Sequence, residues 1–375
     1  MLKSENTFEV FSMNDFYNAT NSLCMDLVPG QPVWYRGANN YTHNLIPSLY
    51  RENDNTFNCN GTSSQFSLRE DYRLQNFKSR VYHNVNTNPS NKVEWQALYQ
   101  HHWGKTRMLD WSESALTALT FALEPFIDPR DRLDLDYKRH RLDPCIWVLS
   151  PTKLNEKVYD FFSNNIDKMP NIFSDLYEPL NLTRISKNIK SLVNDTNSKK
   201  VYFSSNSGSS KALKDISLDR IFSLCVIDDS IKNNLARLPK MLKTGEFNPF
   251  FYFISRIYSD AFPAYIDDSN PKLELLPPLA ILHPYQSERI RAQRGTFTIF
   301  PVYQETERIS FYKSRNKDYR AMDINPMLSD CLYCIRLMDP ENISKEILLT
   351  GARHTQLYPD NEFFVHTLEA KTFHV

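Results

Sequence analysis

A chain of 375 residues is long enough for one large domain or two modest ones with a sizeable core. Its 41% hydrophobic and 13% aromatic content excludes intrinsic disorder. Lys plus Arg equals Asp plus Glu at 44 each, so no global field draws the chain to nucleic acid or an anionic membrane, although a local basic patch stays open. No apolar run reaches a membrane span, and MLKSENTFEV lacks the apolar centre of a signal peptide. The expectation is a soluble, cytoplasmic protein with no membrane partner and no strong nucleic-acid signal.

In chain order, residues 8–28 predict a short strand and an amphipathic helix. Residues 32–37 read as a strand ending at Arg36 and Gly37, followed by an Asn-rich loop and an extended piece at 45–51. Helices are expected over 66–85 and 92–101. Between 95 and 122 a polar loop, with two histidines, Arg107 and Asp110, leads to an apolar helix that Ser112, Glu113 and Ser114 introduce. The N-terminus of that helix, with its unpaired N–H groups, is a place for a phosphate or carboxylate. After a charged excursion, residues 145–150 predict a buried strand.

Residues 152–250 are rich in Asn, Lys, Ser and Asp with intermittent helical pattern, and read as a partly helical insertion. Apolar character returns at 273, with a strand at 296–300, another at 331–338 and a helix near 341–350. The expected fold class is α+β: a mixed β-sheet core with flanking helices, drawn from 1–150 and 273–375, around a largely helical insertion at 151–272.

The six cysteines are scattered. Cys331 and Cys334 have C-x-x-C spacing, but no second pair stands nearby to complete a zinc site, and packing is their expected role. Glycine is scarce: eight in the chain, where an average composition of about 7% would give several times more. Three of the eight close polar triplets, Tyr35-Arg36-Gly37, His102-Trp103-Gly104 and Gln293-Arg294-Gly295. Arg36 ends a strand and can clamp a phosphate bidentately while Gly37 admits a ligand to the backbone; its alternative is an ion pair with Asp110. His101 and His102 diverge by about 100° on a helix, so only one can face a site.

Taken together, these segments resemble the FRG-domain family, named for an N-terminal (F/Y)RG motif. Trp34-Tyr35-Arg36-Gly37 and Leu45-Ile46-Pro47-Ser48-Leu49-Tyr50-Arg51 match its first two blocks. Residues 100–111, QHHWGKTRMLDW, match its Q-H-x-G-x-x-T-R-L-L-D-W segment; Trp103 and Lys105 depart from it, standing where a smaller or apolar residue and a proline are usual. Residues 118–122, the R-I-x-x-Q-x-G-x-F block at 289–297 and LYPD at 357–360 continue the resemblance. It implies a component of bacterial or phage conflict, a defence factor or toxin.

A weaker resemblance to ADP-ribosyltransferases, which open their core with a strand ending in arginine, implies a pocket for a nucleotide or NAD. On this reading Tyr35, Arg36, Gly37, Thr106 and Arg107 bind NAD, with the two arginines on the pyrophosphate. His101 contacts ribose or nicotinamide, Gln293 flanks the scissile bond, and Asp110, Glu113 or Glu288 supplies the acid. Arg107 paired with Asp110, and Gln293 as support for its turn, are the architectural alternatives. A non-catalytic nucleotide- or protein-binding sensor is the second reading, and a metal-dependent nuclease using His101, His102 and Asp110 the third. There is no P-loop, nucleophile elbow or dinucleotide fingerprint, so nucleophilic catalysis finds little support, and kinase, P-loop NTPase and Rossmann dehydrogenase readings are set aside.

Overall fold

A computed structural model describes residues 6–27, 31–51, 64–81, 89, 92–127, 142–165, 277–282, 287–301, 321–350 and 354–359. The elements in order are β1 (Thr7–Val10), α1 (Met13–Leu27), β2 (Trp34–Ala38), a 3₁₀ turn (Ser48–Arg51), α2 (Ser64–Val81) and α3 (Lys92–His101). Then come β3 (Met108–Ser112), α4 (Ala115–Ala122), α5 (Glu124–Ile127), β4 (Cys145–Leu149) and α6 (Pro151–Asn165). β5 (Leu279–Ile281), α7 (Glu288–Ala292), β6 (Gly295–Ile299), β7 (Leu332–Leu337), α8 (Pro340–Leu349) and α9 (His354–Leu357) complete the set.

The strands form one mixed seven-stranded sheet in the order β1-β7-β4-β2-β3-β6-β5. β1 and β7 run parallel, and every other neighbouring pair is antiparallel. β4, Cys-Ile-Trp-Val-Leu, is buried at every position, as a central strand covered on both faces requires. Strands from both ends of the chain share one sheet, which is the α+β architecture the sequence implied.

One face of the sheet carries the helix layer. Met13 and Phe16 of α1, Ala118, Leu119 and Ala122 of α4, and Ile343 and Ile347 of α8 close over Tyr35, Ile146, Val148, Ile335 and Leu337. α4 lies so close to β2 that a Cβ on Gly37 would fall into the Ala118 carbonyl oxygen and stand 2.7 Å from the Ala122 amide nitrogen. Gly37 is therefore the crossing point of a helix on a strand, which accounts for its missing side chain, and it also lines the pocket described below.

Two further corrections concern the loop expected before α4. Residues 108–112 are a strand, β3, paired along its length with β6. The polar Asp110 hid this in the sequence, yet Met108, Leu109 and Trp111 are buried around it, and Trp111 donates its indole N–H to Thr298 Oγ1 at 3.0 Å. The cap of α4 is Ser114, whose Oγ accepts the Thr117 N–H at 3.2 Å; Ser112 instead donates to the Gln293 carbonyl at 2.7 Å. The piece at 45–51, expected extended, finishes in a 3₁₀ turn.

α6, which the sequence assigned to the head of the insertion, docks on the sheet. Asn155 donates to the Ala280 carbonyl at 3.0 Å and accepts the Ala280 N–H at 2.8 Å, so its amide satisfies the outer edge of β5 as another strand would. The remainder of the expected insertion, 166–276, lies outside the described residues. Cys145, Cys331 and Cys334 are buried thiols, and burial raises the pKa of the latter two. No helix among the described residues is long and apolar enough to cross a membrane.

Candidate functional site

β2 and β3 are neighbours in the sheet, but they pair only through Tyr35 and Ser112. Beyond that point the two strands part, and a pocket of about 630 Å³ opens between them. Arg36 bridges the gap with its side chain. Its Nη1 donates to the Asp110 carbonyl at 2.6 Å and stands 3.8 Å from the Asp110 carboxylate. This pairing with Asp110 is the alternative the sequence left open, and the arginine still borders the pocket, its side chain 22% exposed.

Asp110 is the polar residue of an otherwise buried strand, with its side chain 60% exposed. Gln100, at the end of α3, orients it by donating Nε2–H to Oδ1 at 2.6 Å. Gln100 is held in turn by the Thr106 hydroxyl, which donates to its Oε1 and accepts the Met108 N–H. Thr106 is fully buried and lies behind the pocket as part of this relay, which corrects its assignment to ligand binding.

A second guanidinium joins the first. Arg51, closing the 3₁₀ turn, lines the pocket and donates Nε–H to the Ile46 carbonyl at 2.9 Å. Burial lowers the pKa of both arginines; Asp110 opposes the shift in each, and Arg51 adds to it at Arg36. Both stay charged, since guanidinium titrates far above neutrality. Two cations thus share one carboxylate. With Lys105 and Arg289 also on the lining, and Glu124 the other acid there among the described residues, the described lining carries more positive than negative charge. An anion relieves that imbalance.

Arg107 is elsewhere. It is fully buried, donates Nε–H to Glu70 Oε2 at 2.6 Å and its backbone N–H to Glu70 Oε1 at 3.1 Å, and reaches the Phe300 carbonyl with Nη1 at 3.2 Å. It ties α2 to β3 and β6, away from the pocket. This corrects both sequence readings of Arg107, as a pyrophosphate ligand and as the partner of Asp110.

The other expected residues divide. His101 borders the pocket, while His102 has turned out to solvent with its ring 5.7 Å from Phe77. Gln293 borders it too, but its amide donates to the Leu357 carbonyl at 3.1 Å and so anchors α9. Tyr35 touches the pocket, yet its hydroxyl lies 3.2 Å from Cys24 Sγ in the helix layer, where burial raises its pKa well beyond the ordinary phenol. Glu113 and the exposed Glu288 do not line the pocket, which corrects their place as candidate acids. Among the described residues no three His, Cys, Asp or Glu side chains come together as a metal site requires.

The mouth holds residues that the sequence left as wall. α3 ends in a Schellman turn: the Gly104 N–H bonds to the Tyr99 carbonyl at 2.9 Å and the Trp103 N–H to the Gln100 carbonyl at 2.9 Å. The left-handed position of that turn, φ 63°, belongs to Trp103 where glycine is usual. Its indole is 81% exposed at the rim, with the Arg289 guanidinium 5.7 Å from the ring centre. Arg289 also stands 4.6 Å over Tyr358, which meets Phe121 edge-on at 6.1 Å. Just past the C-cap of α7, Arg294 is also left-handed at φ 48°. Sequence position gave one signal for these residues: Trp103 precedes Gly104 and Arg294 precedes Gly295.

No curated protein and no solved structure matches the chain. A family model does: residues 31–130 match that of the FRG domain. The matched stretch supplies Arg36, Arg51, Gln100, His101 and Asp110, and the blocks at 289–297 and 357–360 that lie beyond it add Arg289, Gln293 and Tyr358 to the same pocket. Residues 31–130 of the chain carry an FRG domain.

Proposed function

We propose that the pocket between β2 and β3 binds a nucleotide, with NAD the leading candidate, and that the protein consumes it as an ADP-ribosyltransferase-like enzyme in bacterial or phage conflict. The observation that carries the reading is the Arg36–Arg51 pair sharing the single carboxylate of Asp110. Guanidinium forks of this kind suit phosphate oxygens, and a cavity of about 630 Å³ is of nucleotide size. The family resemblance supports the conflict setting and the weaker one supports NAD.

In this mechanism Arg36 and Arg51 hold the pyrophosphate. The bond between ribose C1′ and the nicotinamide nitrogen breaks, and nicotinamide leaves with the bonding electron pair. Asp110, oriented by Gln100, stabilises the positive charge that develops on the ribose. His101 contacts ribose or the nicotinamide amide. The acceptor, a protein or nucleic-acid nucleophile or water, bonds to C1′ and gives up its proton to Asp110 or Glu124.

The test is incubation of the pure protein with NAD, following NAD loss and label transfer, beside Arg36→Ala and Asp110→Asn. Arg36→Ala is expected to abolish NAD binding, and Asp110→Asn to lower turnover about 10²- to 10³-fold with binding retained. If NAD neither binds nor disappears, the reading is wrong. A second reading, a non-catalytic nucleotide sensor, is favoured by one observation: Asp110 is already engaged by Gln100 and Arg36. It predicts NAD bound, stoichiometric and intact.

A further inference from the structure

We infer that Trp103 is a stacking platform for the base of the ligand, so that this pocket selects nucleotides over simple phosphates. The inference rests on the nucleotide reading of the same pocket and assigns its second end.

Three observations converge on it. A large aromatic ring 81% exposed on a pocket rim keeps its apolar faces in water, which is unfavourable unless something covers them. The backbone that presents it sits at φ 63°, a conformation a bulky side chain adopts only against steric resistance, in a turn that glycine would close without any. The ring is also positioned: Arg289 stands 5.7 Å from its centre and is fixed on the other side by Tyr358 at 4.6 Å. A cation and an aromatic wall beside an open indole make a slot that accepts a flat, electron-rich ring, and a nucleobase is the flat ring attached to a phosphate. Stacking itself reads the size of a ring and not its hydrogen-bonding edge, so purines in general are its class, the larger ring stacking better.

The chain carries its own reporter. Of its five tryptophans, Trp34, Trp95, Trp111 and Trp147 are buried and Trp103 alone is open to solvent. Calorimetric titration of the full chain with pyrophosphate, AMP and NAD, repeated on Trp103→Gly and Arg36→Ala, tests the assignment, with fluorescence of the native chain reporting on Trp103 itself. Glycine takes the left-handed position freely, so Trp103→Gly is expected to melt no lower than the native chain.

AMP and NAD are expected to quench the exposed indole and pyrophosphate to leave it unchanged. Trp103→Gly is expected to weaken AMP and NAD about 5- to 150-fold, the worth of one stacked base, with pyrophosphate affinity intact. Arg36→Ala is expected to weaken all three. Equal AMP affinity in the native chain and Trp103→Gly overturns the stacking assignment while the phosphate end stands. Failure of all three probes to bind the native chain overturns the nucleotide reading and the platform with it.

Discussion

Arg36 and Arg107 are the same residue type, seventy-one positions apart, with opposite fates. Arg36 sits where two strands part and keeps a fifth of its side chain in solvent; Arg107 is sealed against Glu70. Removing one partner from such a sealed pair strands a charge in the core. Glu70→Ala is expected to destabilise the protein by about 3–5 kcal/mol, measured as a lowered urea midpoint. Replacing both, Glu70→Leu with Arg107→Met, is expected to recover most of that loss, and a double variant as weak as the single would refute the pairing argument. The sequence could not separate the two arginines because the partner of Arg107 stands 37 positions away on α2. Local spacing offered only Asp110, three residues on. Arg36 and Asp110 are 74 positions apart, and their pairing could still be named because both stand in the motif blocks, whereas Glu70 stands in none.

At the scale of elements, apolar periodicity located α1, α3, α4 and α8 and the strands β2, β4, β6 and β7, because each shows its buried face in its own pattern. β3 escaped since a polar residue breaks the pattern of a central strand, and the exposed Asp110 looks like part of a loop. The packing of α4 on β2 was equally hidden: a glycine demanded by a helix crossing and one demanded by a ligand have the same letter. Gly37→Ala distinguishes them. A Cβ inside the Ala118 carbonyl forces helix and strand apart, so the variant is expected to lose about 1–3 kcal/mol or more and to melt lower with no ligand present. An unchanged melting temperature with lost NAD binding would restore the ligand reading of this glycine.

The whole molecule depends on segments that are remote in sequence. β5 is a three-residue strand whose outer edge is completed by a side-chain amide of α6. Asn155→Ala leaves the Ala280 N–H and carbonyl buried without that partner, and is expected to cost about 1–3 kcal/mol. Hydrogen exchange checks it: protection of the Ala280 amide is expected to fall first, and unchanged protection would mean that the amide pair does not hold the edge. The pairing of β1 with β7 has a different consequence. Thr7 faces Cys334, so the first of the described strands waits for the last of them. At roughly 5–20 residues per second of synthesis, those 327 positions take about 16–65 s to emerge from the ribosome. From the time β4 has emerged until β7 follows, the β4 edge that β7 will cover is available to any nascent strand nearby. A pocket assembled from residues 35 to 358 has no partial form on the ribosome, so whatever needs all of its walls is bound only when synthesis is nearly complete.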